Sequence, residues 1–172
     1  MNNKNYLLLL LILIYALSTG CKNKAVQKTF NQYGISFNYP SDWKIDDVTD
    51  LDESYYYISV EKTGFNSSGI ITIIVIEEEI DLVELITDFQ ENLSSVIYNQ
   101  LKVEDVTETQ YGQYAAVYSK YTASMIALPH EGRMYTFSAN GKTVYIDEEE
   151  SVKDKEENAA GFETIRKTLK IE

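Results

Sequence analysis

Apolar and polar residues alternate along 35–39. Ile35, Phe37 and Tyr39 take one side, and Ser36 and Asn38 the other. A period of two marks a half-buried β-strand. Pro40 has no N–H for a ladder, and Pro40-Ser41-Asp42 is turn chemistry. The chain restarts as a short strand at Trp43 and Ile45. Residues 54–62, with Tyr55-Tyr56-Tyr57, are aromatic and β-branched and predict another strand. Residues 63–69 hold two glycines, Asn66 and two serines, which suits a loop. The nearly unbroken apolar run at 70–77 predicts a central strand covered on both faces.

The period then changes. Leu82, Leu85, Ile86, Phe89, Leu93, Val96 and Ile97 recur at spacings of three and four, which predicts a helix over 81–98. Asp81 stands as its N-cap, with Glu84 at capping-box spacing. Residues 101–110 and 113–123 read as a hairpin around Tyr111-Gly112. Residues 133–139 and 142–146 flank Asn140-Gly141, the strongest short hairpin signal, since both turn residues tolerate positive φ. A second helix is predicted over 151–169. Ser151 and Asp154 form its start, and Val152, Ala159, Phe162, Ile165 and Leu169 form its stripe. Gly161 inside it weakens helix propensity by about 1 kcal/mol relative to Ala. Strands, helix, strands, helix predicts an α+β fold: a mostly antiparallel central sheet flanked by helices, in one domain.

The amino-terminal segment breaks this pattern. Residues 6–17 are uncharged and almost wholly apolar after the single Lys4. As a helix, twelve residues span about 18 Å, short of the roughly 20 residues that cross a bilayer. A charged start, a short apolar centre and small residues is the pattern of a secretory signal. Here Ser18, Thr19 and Gly20 lead directly to Cys21, the only cysteine. This arrangement resembles the lipobox of bacterial lipoproteins, although Ser18 stands where the commonest pattern has Leu. The resemblance implies cleavage between Gly20 and Cys21 and lipidation of Cys21. The expected organisation is a signal peptide over 1–20, a lipidated Cys and polar tether over 21–32, and a folded domain over 33–172.

Charge narrows the partners. The chain carries 15 basic and 27 acidic residues. Loss of residues 1–20 removes Lys4 and no acid, leaving −13 at neutral pH. Such a surface is repelled by nucleic acid and by anionic lipid. The expected partners are therefore the membrane, through an N-terminal lipid, and a protein of the cell envelope. Nucleic acid is excluded.

The stretch 34–43, with Gly34, Phe37, Tyr39-Pro40 and Trp43, is similar to the start of PsbP-like domains. The ending 162–171, with Phe162, Ile165, Leu169 and Ile171, is similar to their last helix and closing segment. The resemblance covers roughly 33–171. It implies an α/β/α sandwich whose members support larger complexes or act as bacterial lipoproteins. Its motifs are structural, so it transfers no catalytic residue.

Candidate chemistry is sparse. His130 is the only histidine and sits near Pro129 and Gly132, which predicts a surface loop. There is no nucleophile elbow, Gly-rich phosphate loop or zinc ligand set, and no catalytic, metal or cofactor residue is assigned. The acidic runs Glu77-Glu78-Glu79 and Asp147-Glu148-Glu149-Glu150 each follow a predicted strand and precede a predicted helix, where acids favour the helix dipole. If both lay at one sheet edge, they would form one patch able to receive a basic partner. Tyr111, Tyr114, Tyr118 and Tyr121 suit either strands or an interface. The leading expectation is a non-enzymatic binding or accessory lipoprotein, outer-membrane and facing the periplasm in a two-membrane host. The alternatives are an immunity or ligand-sequestering lipoprotein and, last, a hydrolase using two carboxylates about 5–10 Å apart in one pocket.

Overall fold

The computed structural model describes residues 26–52, 54–65, 67–93, 99–125 and 127–172. Strands β1 (Gln27–Gln32), β2 (Ile35–Pro40) and β11 (Lys170–Ile171) form a small sheet in the order β1-β2-β11. The large sheet runs β3 (Trp43–Asp52), β4 (Tyr55–Lys62), β5 (Ile70–Ile76), β10 (Lys142–Ser151), β9 (Leu128–Ala139), β8 (Tyr114–Met125) and β6 (Asn99–Val103). β7 (Thr107–Tyr111) shares the β8 edge with β6. The paired strands of both sheets are antiparallel.

Two helices cover opposite faces of the large sheet. On β10, Val144 and Ile146 join a core with Trp43, Ile71, Ile73, Phe162 and Ile165, under α2 (Lys155–Thr168) and the small sheet. Tyr145, between them, points the other way and packs with Ile86, Tyr121 and Met134 under α1 (Leu82–Leu93). The period-two alternation thus feeds two cores, each fully buried Ile contributing about 1.5–3 kcal/mol. The expected α+β sandwich is present. β5 departs from its expectation on one face: Ile71, Ile73 and Val75 are fully buried beneath the α2 layer, while Thr72 and Ile74 are only half-buried on the α1 side. Among the described residues, no helix is long and apolar enough to cross a membrane.

The first helix is capped as its sequence predicts. Asp81 Oδ1 accepts hydrogen bonds from the backbone N–H groups of Val83 and Glu84, both at 2.9 Å. Asp81→Ala should lower stability by about 1 kcal/mol. A fall in Tm of about 2–4 °C, read by circular dichroism, checks it. The predicted end of this helix, 94–98, lies outside the described residues, as do the apolar run, Gly20 and Cys21.

Several expectations are corrected. The polar stretch expected to be tether as far as residue 32 instead forms β1 from Gln27. Its register with β2 is closed by Tyr33-Gly34, both at positive φ. Only Phe30 of this strand is buried, stacked on Phe37 at 5.1 Å, so the sequence shows no alternation there. β3 is an edge strand that extends to Asp52 rather than stopping near Ile45, because β4 pairs with it as far as Asp52↔Tyr55. Asp46, Asp47, Asp50 and Asp52 along it hinder pairing with another chain. Register shifts at Ile45/Asp47 and Asp50/Asp52 hide its period. The second helix begins later than predicted. Ser151 ends β10, Val152–Asp154 is a 3-10 turn, and neither Ser151 nor Asp154 caps by its side chain. Ser68 holds both residues instead, accepting from the Ser151 N–H and donating to Asp154. Gly161 is explained by Trp43, whose indole occupies the space a Cβ would need.

Candidate functional site

The run Asp147-Glu148-Glu149-Glu150 lies inside β10 rather than ahead of a helix. The strand continues through it: arginines meet Glu148 and Glu150 on one face, and the Tyr121 hydroxyl meets Asp147 and Glu149 on the other. The runs Glu77-Glu78-Glu79 and Asp147-Glu148-Glu149-Glu150 do not merge into one patch. Ile76 pairs with Thr143, so the first run sits beside the opposite end of β10. Its three acids are exposed, and Glu77 pairs with Lys142 at 2.7 Å.

On the α2 face, Glu148 and Glu150 are buried. Their cross-strand partners on β9 are Arg133 and Glu131. Arg133 Nη2 donates to Glu150 at 2.8 Å, and its Nε lies 3.4 Å from Glu148. From α2, Arg166 Nη2 donates to Glu148 at 2.5 Å. Tyr111 donates to the other Glu148 oxygen at 3.1 Å. The Arg166 guanidinium also lies over Tyr111 and Tyr135, at 5.4 and 5.6 Å from the ring centroids. Lys155 at 2.7 Å and Lys120 at 3.4 Å answer Glu131. Burial pushes the Glu148 carboxyl up, and Arg166 and Arg133 oppose it without cancelling it. Burial pushes Glu150 up as well, against Asn158 and Arg133. Burial would raise Glu131 too, but Lys155 and Lys120 outweigh it and hold it low. Burial, then the Glu148 charge, raises Tyr111 well above the usual phenol range and Tyr135 to about 12. Each charge on this face has an opposite charge beside it, so the cluster ties α2 to the sheet.

The α1 face differs. Asp147 Oδ2 accepts from the Tyr121 hydroxyl at 3.0 Å, and Glu149 accepts from the same hydroxyl at 3.4 Å. Glu149 also faces His130 Nδ1 at 3.2 Å. His130 is therefore no surface-loop residue: it is buried on β9, opposite Ala123 and Ser151. Among the described residues, no Lys, Arg or His pairs with Asp147, and its Oδ1 is shut from solvent without a hydrogen-bond partner. Burial and the neighbouring Glu149 charge push its carboxyl up to about 8. Asp147 sits on the wall of a cavity of about 320 Å³, together with Tyr57, Thr72, Ile74, Phe89 and Tyr145. The half-buried side of β5 forms its floor. Among the described residues, no group of three or more His, Cys, Asp or Glu is placed to hold a metal ion.

The tyrosines divide between packing and this cavity. Tyr111 and Tyr121 are fully buried, and the Tyr114 hydroxyl accepts from the Ile171 N–H at 2.9 Å. Tyr56 stacks on Tyr33 at 4.3 Å, while Tyr57, its neighbour on β4, reaches the cavity. Sequence reading missed Arg133, Arg166 and Asp147 as the organising charges. The signal was present in the Asn140-Gly141 turn. A two-residue turn pairs Lys142 with Ala139, and counting back along both strands sets Glu148 opposite Arg133 and Glu150 opposite Glu131.

Comparison with solved structures places this architecture. The chain is similar to cyanobacterial PsbP (CyanoP) from Synechocystis sp. PCC 6803, with a TM-score of 0.63 at 12% identity over 89% of this chain and 96% of that one. It is similar to LpqN of Mycobacterium tuberculosis, described as involved in cell envelope biogenesis, with a TM-score of 0.53 at 12% identity over 87% and 92% of the two chains. A Bacteroides thetaiotaomicron protein gives a TM-score of 0.55 at 16% identity, over 84% of this chain and about half (48%) of that one. At these identities the likeness is one of fold. No curated protein matches the chain. The family model described as PsbP-like protein matches residues 18–171, from just ahead of Cys21 to the last strand. By that match, and with the sandwich and its closing β11 in place, the chain belongs to the PsbP-like protein family.

Proposed function

We propose that this PsbP-like protein is a lipid-anchored accessory protein of the bacterial cell envelope, which binds a protein partner and catalyses no reaction. The observation that carries the reading is Gly20-Cys21, set between a twelve-residue apolar run and a PsbP-like domain. Two or more acyl chains on Cys21 would make attachment stable, since each buried CH₂ contributes about 0.8 kcal/mol. With β1 starting at Gln27, only residues 22–26 separate the lipid from the fold. Five residues reach at most about 18 Å, so the domain would work close to the membrane surface. Lys22 and the lack of an acid directly after Cys21 resemble outer-membrane sorting in two-membrane bacteria. The envelope role described for LpqN is consistent with this setting.

The cavity beside Asp147 favours a second reading, a lipoprotein that captures a small solute. Two-carboxylate hydrolysis has weaker support. Asp147 lines the cavity, while Glu149 is absent from its lining and is held by Tyr121 and His130.

The test compares tagged wild-type protein with Cys21→Ser in crosslinked, fractionated cells. Wild type should partition with membranes and recover one defined envelope protein. Cys21→Ser should keep its circular dichroism spectrum and appear in the soluble fraction without that partner. A variant that still pellets with membranes overturns the anchor, and recovery of no specific protein under several growth conditions overturns the accessory role.

A further inference from the structure

β10 treats its four consecutive acids in two ways. Glu148 and Glu150 receive both of the chain's arginines. Asp147, one residue away on the opposite face, receives among the described residues a tyrosine hydroxyl, which it shares with Glu149. A carboxylate removed from water without a counter-charge is costly, and proteins answer it with a partner or with a proton. Among the described residues Asp147 receives neither arginine nor lysine, and it stands on the wall of a cavity, where a ligand can supply the opposite charge in place of the proton.

The rest of the lining defines its chemistry. Tyr57, Ile74, Phe89 and Tyr145 make most of the wall apolar, with Phe89 and Tyr145 stacked at 3.7 Å. Hard metal cations take six or more oxygen ligands, which this wall does not offer. An anion would meet Asp147 and the strongly negative chain. A volume of about 320 Å³ is at the low end of small-molecule pockets, so the ligand is small. We propose that this cavity binds a small organic ammonium ion, its protonated amine on the Asp147 carboxylate and its apolar body against Tyr57, Ile74 and Tyr145. The inference stands on the cavity alone and does not depend on the lipid anchor.

Proton linkage follows from the surroundings of Asp147. Tyr121 faces it from β8 and Glu149 from β10, with His130 of β9 beyond Glu149. Glu148 and Arg133 act on it from the other side of the sheet. Tyr57 shares the cavity from β4, and the α1 residues lining the cavity, Phe89, Asn92 and Leu93, carry no charge. With its carboxyl raised to about 8, Asp147 holds a proton at neutral pH and must release it when an ammonium ion binds. Affinity should therefore rise about tenfold per pH unit up to about pH 8 and then level off.

The experiment is calorimetric titration of the purified full-length protein with 2-phenylethylamine, and with 2-phenylethanol as its neutral counterpart, at about pH 6, 7 and 8. Saturable one-site amine binding is expected, strengthening with pH and releasing close to one proton at the lower values. The alcohol should bind at least about tenfold more weakly at the highest pH. Asp147→Asn, a neutral isostere, should lose amine affinity by at least about tenfold with an unchanged or higher Tm. No saturable amine binding up to about 10 mM, equal affinity for the alcohol, a flat pH profile or undiminished binding by Asp147→Asn would each overturn the proposal. If Asp147→Asn does not fold, the wild-type pH profile and the amine-to-alcohol ratio decide it.

Discussion

Gly132→Ala should lower stability by about 3 kcal/mol. Gly132 stands on β9 directly opposite Tyr121 of β8, and the tyrosine ring lies over it. A Cβ at residue 132 would fall among the ring atoms Cε1, Cζ and Oη. Glycine within a strand commonly marks such a close approach. The ring has no easy escape: it is fully buried, and its hydroxyl is committed to Asp147 and Glu149. Overpacking costs about 1–3 kcal/mol, and displacing the hydroxyl takes a donor from Asp147 and Glu149, both half-buried, at a further cost of about 1 kcal/mol. For a fold of this size, Tm should drop by about 6–12 °C. Gly132→Ala/Tyr121→Ala, which restores the space, should be less damaged than the two single effects added together. A Gly132→Ala protein melting within about 2 °C of wild type would show that the ring moves freely.

Much of the fold was legible because each element carries its own local signal. Alternation at Ile35, Phe37 and Tyr39, the helical spacing from Leu82 to Leu93 and the Asn140-Gly141 turn all act over a few residues. What stayed hidden was set by partners distant in sequence. β1 is polar because the small sheet buries one face of one residue, Phe30. β10 was cut short at Ile146 because four acids in a row look like solvated surface. They continue as strand because Arg133 lies across the hairpin and Arg166 returns from the last helix. His130 read as a loop residue because Pro129 and Gly132 flank it. Yet Pro129 pairs with Ser124 inside the β8–β9 ladder, and Gly132 makes room for Tyr121. The candidate cavity had no sequence signature at all. It is lined by Tyr57 of β4, Thr72 and Ile74 of β5, Phe89 and Leu93 of α1 and Tyr145 and Asp147 of β10, residues distant in sequence that only the assembled layers bring together. The anchor proposed at Cys21 is the reverse case: the motif that suggests it is wholly local.

Arg166→Ala should cost about 3 kcal/mol at neutral pH, because it strips the shortest contact from a carboxylate with no exposed surface. Breaking a buried pair by removing one partner usually costs 3–5 kcal/mol. The low end applies because Arg133 and Tyr111 still reach Glu148. Loss of the guanidinium from above Tyr111 and Tyr135 adds to the deficit. The pH dependence has a definite sign. Glu148 has its carboxyl raised in the folded state, so the fold binds its proton more tightly than the unfolded chain does. Stability from this group is therefore greatest at low pH and is lost as pH rises through the folded value. Removing Arg166 raises that value further, so the deficit against wild type should widen toward alkaline pH and narrow toward acid, where the carboxyl is neutral with or without the arginine. Urea unfolding of both proteins across this range measures the difference, and titrations common to both cancel. Glu148→Gln combined with Arg166→Met should recover at least half of the loss, since a buried pair replaced by neutral groups leaves no uncompensated charge. A deficit that is flat with pH, or a double variant no better than Arg166→Ala, would mean that Arg166 stabilises the protein by packing on Tyr111 and Tyr135. The charge of Glu148 would then be carried by Arg133 alone.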